Sequence, residues 1–586
     1  MKWTVMVVVL LAGVAILYTD PLILDLARLF PGFPQSDTCL SAWNIWHLKQ
    51  TLAAGRSPFN FSTGYIFYPQ NPSLLLHNYI LASGLASLPL QIFFSPVVSM
   101  NLIFLLQFVL CGLGMYLVCA HLTSSRPAAL WAGITLAFCP YVISQSAYFL
   151  HFSNIWFFPW AIYFAWRFFD TAHAKFSAAC GIVAGLCLLE DLTYFFFLTI
   201  ILLLVAAFRL AVKPGVKRMD YFRNFAVGLP VFALITLAYL IQLPGAMRGM
   251  SSGFLRWPDA AVDYFSLHLP ALLRPSGMLS LYRGLPFVPL PDALPTNVFI
   301  GYVPLFFVVF ALAGLRNLPG TQRRVIFFWL ATALIFFLIA LGPLPFGKDH
   351  ALNCLAPYRF VCAGPLRQLR IPVRFSLGAF IALYIIAAFG VARLLALNNS
   401  RRVHTTALCV FLLALQVMEF TPMPFPLINL EAPAAYRELA SRSPSSPLLV
   451  LPLGWQSSYK TVGSYFTLIQ FYQTVHGHPL FQGQIARIDG KYFDYYLSRP
   501  GFRYLMDADK KFPDDAERSD VARIIRDYGI KYAVIHTSYF DAQHVQALRQ
   551  VFGELRGELS VAFVPKENSR FDAIMEKTGG RYELDR

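Results

Sequence analysis

The most regular feature of the sequence is a series of long apolar runs, separated by short polar stretches, over residues 1–420. A helix needs about 20 mostly apolar residues to cross the ~30 Å hydrocarbon core of a bilayer. Because runs near this length recur and contain few charges, they predict a polytopic α-helical membrane protein with about eleven transmembrane helices. These helices are expected at residues 3–18, 98–119, 128–146, 153–168, 176–189, 193–210, 224–242, 297–315, 324–342, 375–396 and 404–420.

Residues 421–586 follow a different pattern, in which short apolar segments alternate with charged and turn-forming stretches. Residues 448–451 and 531–536 are apolar runs typical of buried strands, and a further strand is expected at 561–564. The apolar residues of 515–527 recur with helical spacing. This pattern predicts a small C-terminal α/β soluble domain.

Composition places most of the chain in lipid. Of the 586 residues, 57% are hydrophobic and only 13% are charged, against about 25% charged residues in soluble domains. Residues 421–586 contain 20 of the 47 basic and 19 of the 31 acidic residues, so the first 420 residues carry a net charge of about +15. This basic excess forms no clustered stripe or nucleic-acid-binding motif, which favours a role in membrane orientation and excludes a nucleic-acid partner.

Lys and Arg residues fall in alternate connections between the apolar runs, as the positive-inside rule requires of cytoplasmic loops. The basic connections lie near residues 126, 167–175, 209–223, 316–324 and 401–402. The alternation predicts a cytoplasmic N-terminus and three long outer loops, 19–97, 243–296 and 343–374. Eleven crossings then divide the chain into a transmembrane module, 1–420, and an extracytoplasmic domain, 421–586.

Acidic residues are scarce in the transmembrane module, and their positions restrict where acid–base or metal chemistry can occur. Ten of the twelve lie at or near the predicted outer face. Glu190 and Asp191 stand out because they lie between two apolar runs with almost no loop to hydrate them. A carboxylate at such a position is costly unless it faces a cavity or a partner. A polar helix end that faces water is the alternative interpretation.

The other notable acidic residue is Asp37, in the first outer loop. The stretch that follows it, residues 38–54, alternates apolar and polar side chains in a way that fits a helix lying in the membrane interface. An aspartate at a helix start often caps free backbone N–H groups. A capping carboxylate with one free oxygen can also serve as a base, so both roles stay open for Asp37.

Several short motifs, taken in their order along the chain, carry a family resemblance. They are Ser36-Asp37, Trp43-Asn44-Ile45-Trp46, Gly55-Arg56-Ser57-Pro58-Phe59, Phe67-Tyr68-Pro69, Leu76-His77, Gly112-Leu113-Gly114-Met115-Tyr116, Phe138-Cys139-Pro140-Tyr141, Phe299-Ile300-Gly301-Tyr302-Val303, Leu369-Arg370-Ile371-Pro372-Val373-Arg374-Phe375 and Gln473-Thr474-Val475-His476-Gly477-His478-Pro479. With the long first outer loop and the soluble tail, they resemble the GT-C superfamily of polytopic membrane glycosyltransferases. The resemblance is closer to a group of largely uncharacterised bacterial membrane proteins.

The resemblance implies a glycosyltransferase, either a hexosyl- or a pentosyltransferase, in the bacterial inner (plasma) membrane. Such an enzyme moves a sugar from a polyprenyl-phosphate donor to a glycan, lipid or protein acceptor at the outer face. In such enzymes an acidic residue of the first outer loop is catalytic, and the resemblance implies that Asp37 has this role. Glu190 and Asp191 match a second acidic site, which in some relatives holds a divalent cation (Mg or Mn) or the acceptor. The metal ligands of this chain stay unknown.

The leaving phosphate of such a donor needs cationic or hydrogen-bonding groups near the outer face. Arg367, Arg370 and Arg374 precede the tenth apolar run, and arginine binds phosphate in bidentate fashion while staying charged. The alternative to phosphate binding is that these arginines extend towards lipid headgroups. His77 and His151 are further candidates to donate hydrogen bonds to the phosphate or the acceptor, against the alternative of ordinary packing at the interface.

Two rival functions come from other classes of protein. A transporter or flippase of lipid-linked sugars is typically built from internal repeats and broken helices with charge at the bilayer midplane, and the sequence contains neither. A non-catalytic membrane scaffold whose tail binds a partner is the second rival. In the tail, Gln473, His476, His478 and Arg487 are candidates to contact acceptor sugars, with packing as the alternative role.

Overall fold

The structure is a computed structural model, and it is mainly helical. It describes residues 2–33, 36–212, 218–248, 259–282, 297–344, 353, 355–363, 366, 369–397, 402–422, 424–442, 444, 446–553 and 560–564.

Each of the eleven predicted apolar runs contains helix. Six helical segments of the described chain are long and apolar enough to cross a bilayer: Pro96–Thr123, Arg126–Tyr148, Leu192–Val212, Arg223–Met247, Gly320–Ala340 and Pro372–Leu397. Three shorter apolar helices are Trp3–Tyr18, Tyr302–Ala313 and His404–Phe420. The other two runs form the helices Phe157–Thr171 and Ala174–Glu190. The prediction of a polytopic helical membrane protein is therefore confirmed, and the number of crossings stays a prediction.

Two runs differ in detail from the expectation. The run predicted at 128–146 is divided into Arg126–Ala137 and Pro140–Tyr148, because Pro140 has no backbone N–H to continue the first helix and is suited to begin the second. The run predicted at 297–315 is helical only over Tyr302–Ala313. Gly301, with a φ of +95°, ends the extended stretch before that helix.

Short helices and 3-10 turns occupy the connections. The short helices are Cys39–Ala53, Leu81–Ser87, Leu150–Ser153, Leu243–Arg248, Asp259–Asp263 and Pro357–Val361. The 3-10 turns are Leu22–Leu24, Leu90–Ile92, Leu269–Leu273, Ser280–Tyr282, Leu315–Asn317 and Pro372–Phe375.

The tail contains the predicted α/β unit. Tyr532–His536 is the central strand of a parallel three-stranded sheet, between Leu448–Leu451 and Ser560–Val564. The helix Asp515–Asp527 begins with a capping box, in which Asp514 and Glu517 satisfy each other's backbone N–H groups. These elements were all expected from the apolar pattern, because each is a continuous buried run or an amphipathic helix.

The tail contains a second small sheet, of three strands. Gly454–Gln456 pairs antiparallel with Thr461–Gly463 and parallel with Gly483–Gln484. Strands of two or three residues leave too short a pattern to recognise in the sequence. The other helices of the tail are Ala434–Leu439, Thr467–His476, Lys491–Leu497, Pro500–Met506 and Ala542–Gly553, and a 3-10 turn covers Thr537–Tyr539.

The tail packs directly on the first outer loop. Strand Leu29–Pro31 of this loop pairs antiparallel with Leu427–Asn429 of the tail. Helix Cys39–Ala53 lies against tail helix Thr467–His476, and most of its residues are buried. The expectation of a helix with one face in the membrane interface is therefore wrong, because both faces are covered: Asn44 and His47 hydrogen-bond residues 78 and 79 of the same loop, and Trp43 contacts the tail.

Candidate functional site

One segment of the tail, residues 483–487, interacts with both groups of charged residues that the sequence singled out. We refer to it as the bridging segment. The side chain of Gln484 hydrogen-bonds the carboxylate of Asp37. Arg487, three residues later, acts electrostatically on Asp191. The Cα atoms of these two residues are at most about 11 Å apart, so the side chains of Gln484 and Arg487 connect the acid of the first outer loop with the second acidic site.

Asp37 is half-buried, just before the helix that begins at Cys39. Thr38 occupies the N-cap position and its side chain makes no capping hydrogen bond. The hydrogen bond of the Asp37 carboxylate is with Gln484, and the charge of Asp37 also acts on Tyr465. Burial raises the pKa of Asp37 to about 6, and the hydrogen bond to Gln484 partly opposes this rise. Asp37 is thus ionised at neutral pH but is a stronger base than an exposed aspartate.

This pKa predicts the pH dependence of any reaction in which Asp37 accepts a proton. The carboxylate must be ionised to act as a base, so kcat/KM of the free enzyme should fall about tenfold per pH unit below pH 6 and level off above pH 7. The measurement is a kcat/KM profile from pH 4.5 to 8 with a phosphodiester donor, whose single charge does not titrate in this range. A profile that is flat through pH 6 would contradict this role of Asp37.

Arg374 is the most buried cation of the site, with 8% of its surface exposed. It lies in the turn Pro372–Phe375, at the start of the helix that follows. Its guanidinium carbon is 3.6 Å from the ring centroid of Phe152, and its Nε has no hydrogen-bond partner. The charges of Asp191 and Arg487 both act on it. A buried guanidinium with a free donor is costly unless an anion binds there.

Arg370 lies close to the same group. Its Nη1 donates a hydrogen bond of 2.5 Å to the carbonyl of Ser458, and its guanidinium lies 5.0 Å from the ring centroid of Tyr459. Burial lowers the pKa of Arg370 to about 10, and the charges of Arg487 and Arg374 contribute to the decrease. Arg370 therefore stays charged at neutral pH while like charges repel it.

Arg370, Arg374 and Arg487, which we call the arginine cluster, act on one another electrostatically. The carboxylate of Asp191 acts on two of them, Arg374 and Arg487. Burial raises the pKa of Asp191, and the backbone N–H of Tyr194 and the charges of Arg374 and Arg487 oppose that rise. A group of three guanidinium groups that repel one another favours binding of an anion.

The predicted histidines lie around this cluster. The backbone N–H of Ala486 donates to Nδ1 of His77 over 3.2 Å, so Nε2 of the neutral ring carries its proton. This Nε2 and that of His151 are buried and have no hydrogen-bond partner. Burial and the charge of Arg487 lower the pKa of His77 to about 4, and burial with the charge of Arg374 lowers that of His151 well below its usual value. Both rings are thus neutral groups able to hydrogen-bond a ligand.

The two adjacent acids Glu190 and Asp191 have different surroundings. The oxygens of Glu190 accept hydrogen bonds from the backbone N–H of Ser83 (2.9 Å), the Ser83 hydroxyl (2.7 Å) and the amide of Asn154 (2.7 Å). One oxygen of Asp191 accepts from the backbone N–H of Tyr194 over 2.9 Å, at the start of a helix. Glu190 therefore links Ser83 of the first outer loop to Asn154 by hydrogen bonds. Asp191 instead interacts with Arg374 and Arg487 of the arginine cluster.

This difference predicts opposite effects for two conservative substitutions. Glu190→Gln replaces an accepting oxygen by an N–H₂ group that faces other donors, so unfolding should become easier by about 1–3 kcal/mol. Asp191→Asn keeps an N-cap side chain and should leave stability nearly unchanged while changing ligand binding at the arginine cluster. Thermal melting of the detergent-solubilised variants, followed by tryptophan fluorescence, measures the first effect. A lower melting temperature for Asp191→Asn than for Glu190→Gln would contradict the assignment.

The residues of the second acidic site do not fit a divalent cation. The described residues contain no group of three or more His, Cys, Asp or Glu side chains arranged to bind a metal ion. The carboxylate of Glu190 already accepts three hydrogen bonds, and the charges of Arg374 and Arg487 beside Asp191 would repel a dication. No step below therefore uses a metal ion.

Some predicted residues lie elsewhere or have other partners. Arg367 lies outside the described residues. In the tail, Gln473 accepts a hydrogen bond from the Trp43 indole and donates to the carbonyls of Tyr65 and His478, which is the packing alternative. Sequence reasoning missed the contact of Gln484 with Asp37 entirely. It also assigned Arg487 to the acceptor, because nothing in the sequence indicates that this loop meets the arginines.

Comparisons with known proteins address the fold. No protein-family model matches the chain, and no curated protein sequence is similar to it. Among solved structures, it is similar to the arabinofuranosyltransferase AftD from Mycobacteria, with a TM-score of 0.53 and 15% sequence identity. The alignment covers 92% of this chain but 36% of that chain, so this chain spans about a third of its length.

A second structure is the oligosaccharyltransferase of Archaeoglobus fulgidus in its apo form. It aligns with 86% of this chain and 68% of its own, at 12% identity and a TM-score of 0.43. At this identity the AftD similarity shows the fold alone. The chain is a multi-pass membrane protein whose fold is similar to that of this arabinofuranosyltransferase.

Proposed function

We propose that the protein is a membrane glycosyltransferase that moves a sugar from a polyprenyl-phosphate donor to a glycan, lipid or protein acceptor. The observation that carries the proposal is the arginine cluster, Arg370, Arg374 and Arg487, in which three positive charges lie close together and the buried Nε of Arg374 has no hydrogen-bond partner, an arrangement that suits a phosphate group. The GT-C-like fold supports it at the level of architecture. The bridging segment supports it further, because it links the cluster to a base, Asp37.

The chemistry follows from the charges at each end of the site. The acceptor hydroxyl gives its proton to Asp37 while its oxygen forms a bond to the anomeric carbon of the donor sugar. The bond between that carbon and the phosphate oxygen breaks, and its electron pair goes to the phosphate. A carboxylate is a sufficient base because the anomeric carbon becomes oxocarbenium-like as the phosphate departs.

The arginine cluster favours the transition state over the bound donor. A phosphodiester donor carries one negative charge, and the departing monophosphate carries close to two. At an effective dielectric constant of 20, one charge pair 4 Å apart is worth about 4 kcal/mol. Arg374 and Arg370 are already fixed in place by Phe152 and Ser458. They therefore stabilise the additional negative charge of the transition state more than the single charge of the bound donor.

The proposed location is the outer face of a bacterial plasma membrane. The distribution of Lys and Arg residues supports a cytoplasmic N-terminus and an extracytoplasmic tail. In this orientation the site formed by the first outer loop and the tail opens on the side where lipid-linked sugars serve as donors. Attaching a membrane-impermeant reagent to a cysteine engineered at the exposed position of Lys510 or Lys511 tests the orientation of the tail.

The decisive experiment is transfer of a labelled sugar by the purified full chain. A panel of polyprenyl-phosphate hexoses and pentoses is supplied with candidate acceptors, with and without EDTA. We expect transfer from at least one donor, and we expect EDTA to change its rate by less than twofold. Absence of transfer from every donor, together with transport of the intact donor across liposomes, would favour the flippase alternative.

A further inference from the structure

Three buried glutamines of the tail lie close to one another in the fold, and one of them, Gln484, contacts Asp37 of the first outer loop. Oε1 of Gln470 accepts hydrogen bonds from the Tyr465 hydroxyl and from the backbone N–H of Gln484, both over 2.8 Å. Gln484 in turn hydrogen-bonds Asp37. Gln482 lies two residues before Gln484, and alternation in extended chain places both side chains on the same side.

These glutamines are almost completely buried, yet several of their polar atoms have no partner. Gln470 is 0% exposed, Gln482 is 1% exposed and Gln484 is 7% exposed. Nε2 of Gln470, Oε1 of Gln484 and both amide atoms of Gln482 make no hydrogen bond in the described structure. Burying an amide without a partner costs free energy, so a set of such groups beside a carboxylate indicates a site that a polar ligand completes.

We propose that Gln470, Gln482 and Gln484 form a binding site for the hydroxyl groups of a sugar ring, next to the carboxylate of Asp37. The inference rests on the proposed function and specifies which part of the site binds the sugar. The unpartnered atoms include two N–H₂ groups and two carbonyl oxygens, and ring hydroxyls both donate and accept. The glutamines are neutral, so the site suits an uncharged sugar, whereas the arginine cluster suits the phosphate.

The site is suited to discriminate between sugars by their hydroxyl groups. A buried group that hydrogen-bonds a substrate hydroxyl is left without a partner when an analogue lacks that hydroxyl. Deoxy analogues should therefore bind more weakly than the parent sugar. A packing role for the glutamines predicts no such difference, because packing does not depend on a ligand.

Gln482→Leu is the most informative substitution. Both amide atoms of Gln482 lack a partner, so leucine, which has a similar volume, removes no hydrogen bond that stabilises the fold. Gln416→Leu is the matched control, because Gln416 is also 0% exposed with both amide atoms unpartnered but lies in the apolar helix Arg402–Phe420. Both variants should melt at or above the wild-type temperature.

The experiment measures binding of free monosaccharides to the full chain in detergent by saturation-transfer difference NMR. The probes are arabinose, galactose, glucose, mannose and their deoxy analogues. We expect at least one sugar to bind the wild type and the Gln416→Leu variant equally, and to bind Gln482→Leu at least tenfold more weakly. The preference over the deoxy analogue should also disappear in Gln482→Leu.

Farnesyl phosphate, bound in the same samples, separates this inference from the proposed function. If farnesyl phosphate binds all three proteins but no sugar distinguishes Gln482→Leu from Gln416→Leu, the sugar site is refuted and the phosphate site stands. If neither probe binds the wild type, both proposals fail. Competition between a farnesyl-phosphate-linked sugar and the free sugar would assign the site to the donor, and simultaneous binding would assign it to the acceptor.

Discussion

Asp37→Asn is expected to reduce the rate of sugar transfer by about 10²–10⁴-fold, the usual contribution of a general base. Asparagine has the shape of aspartate and can still hydrogen-bond Gln484, so the fold should persist. It cannot accept the proton of an acceptor hydroxyl. The measurement is kcat with the best donor and acceptor at pH 7.5, where Asp37 with its pKa of about 6 is ionised.

The control for this substitution is binding of the donor. Donor affinity should change by less than threefold, because the phosphate contacts the arginine cluster rather than Asp37. A transporter or a scaffold would keep its activity in this variant. Transfer at the wild-type rate by Asp37→Asn would show that another group accepts the proton.

Arg374→Gln is expected to reduce kcat/KM by about 10²–10³-fold, as removal of one preorganised charge-stabilising group does in other enzymes. Arg374 is the most buried member of the cluster, so no water replaces its charge. Arg374→Lys should restore the activity only in part, because an ammonium group lacks the planar fork that stacks on Phe152 and binds two phosphate oxygens. Steady-state kinetics with varied donor measure both effects.

Arg393→Gln provides the matched control. Arg393 lies in helix Ser376–Leu397, which follows the turn that contains Arg374, and its guanidinium contacts the ring of Phe310 and donates to that residue's carbonyl over 2.6 Å. Loss of this half-buried arginine tests the general cost of removing a guanidinium that packs on an aromatic ring, without touching the proposed site. Equal losses of kcat/KM in the Arg374 and Arg393 variants would contradict a specific role for Arg374.

The sequence was sufficient to predict the helices and strands that are marked by a pattern within their own residues. A membrane helix is recognisable because about 20 consecutive residues share one property, and strand Tyr532–His536 because a buried parallel strand is continuously apolar. The strands Gly454–Gln456 and Gly483–Gln484 were not predicted. Their existence depends on partners rather than on their own two or three residues.

The site was predictable only in part, for a related reason. Asp37, Asp191, Arg370 and Arg374 drew attention because charges are rare in an apolar chain. Gln484 is an ordinary polar residue until the fold places it against Asp37, some 450 positions earlier in the chain. Long-range contacts of this kind leave no periodic pattern.

The acid pair shows the same limit at short range. Glu190 and Asp191 are neighbours with similar chemistry, and the sequence gives no reason to separate them. Glu190 ends one helix and meets Ser83 and Asn154, whereas Asp191 caps the next helix beside the arginines. The functional difference arises because the chain changes direction between the two residues.

The central claim is that the arginine cluster holds the donor phosphate within reach of Asp37. The most direct test is a cryo-EM structure of the full chain with a non-transferable polyprenyl-phosphonate sugar. The account predicts phosphonate oxygens within hydrogen-bond distance of Arg374 and Arg487, and the sugar directed towards Asp37. A phosphonate bound away from these arginines, with the cluster unchanged, would contradict it.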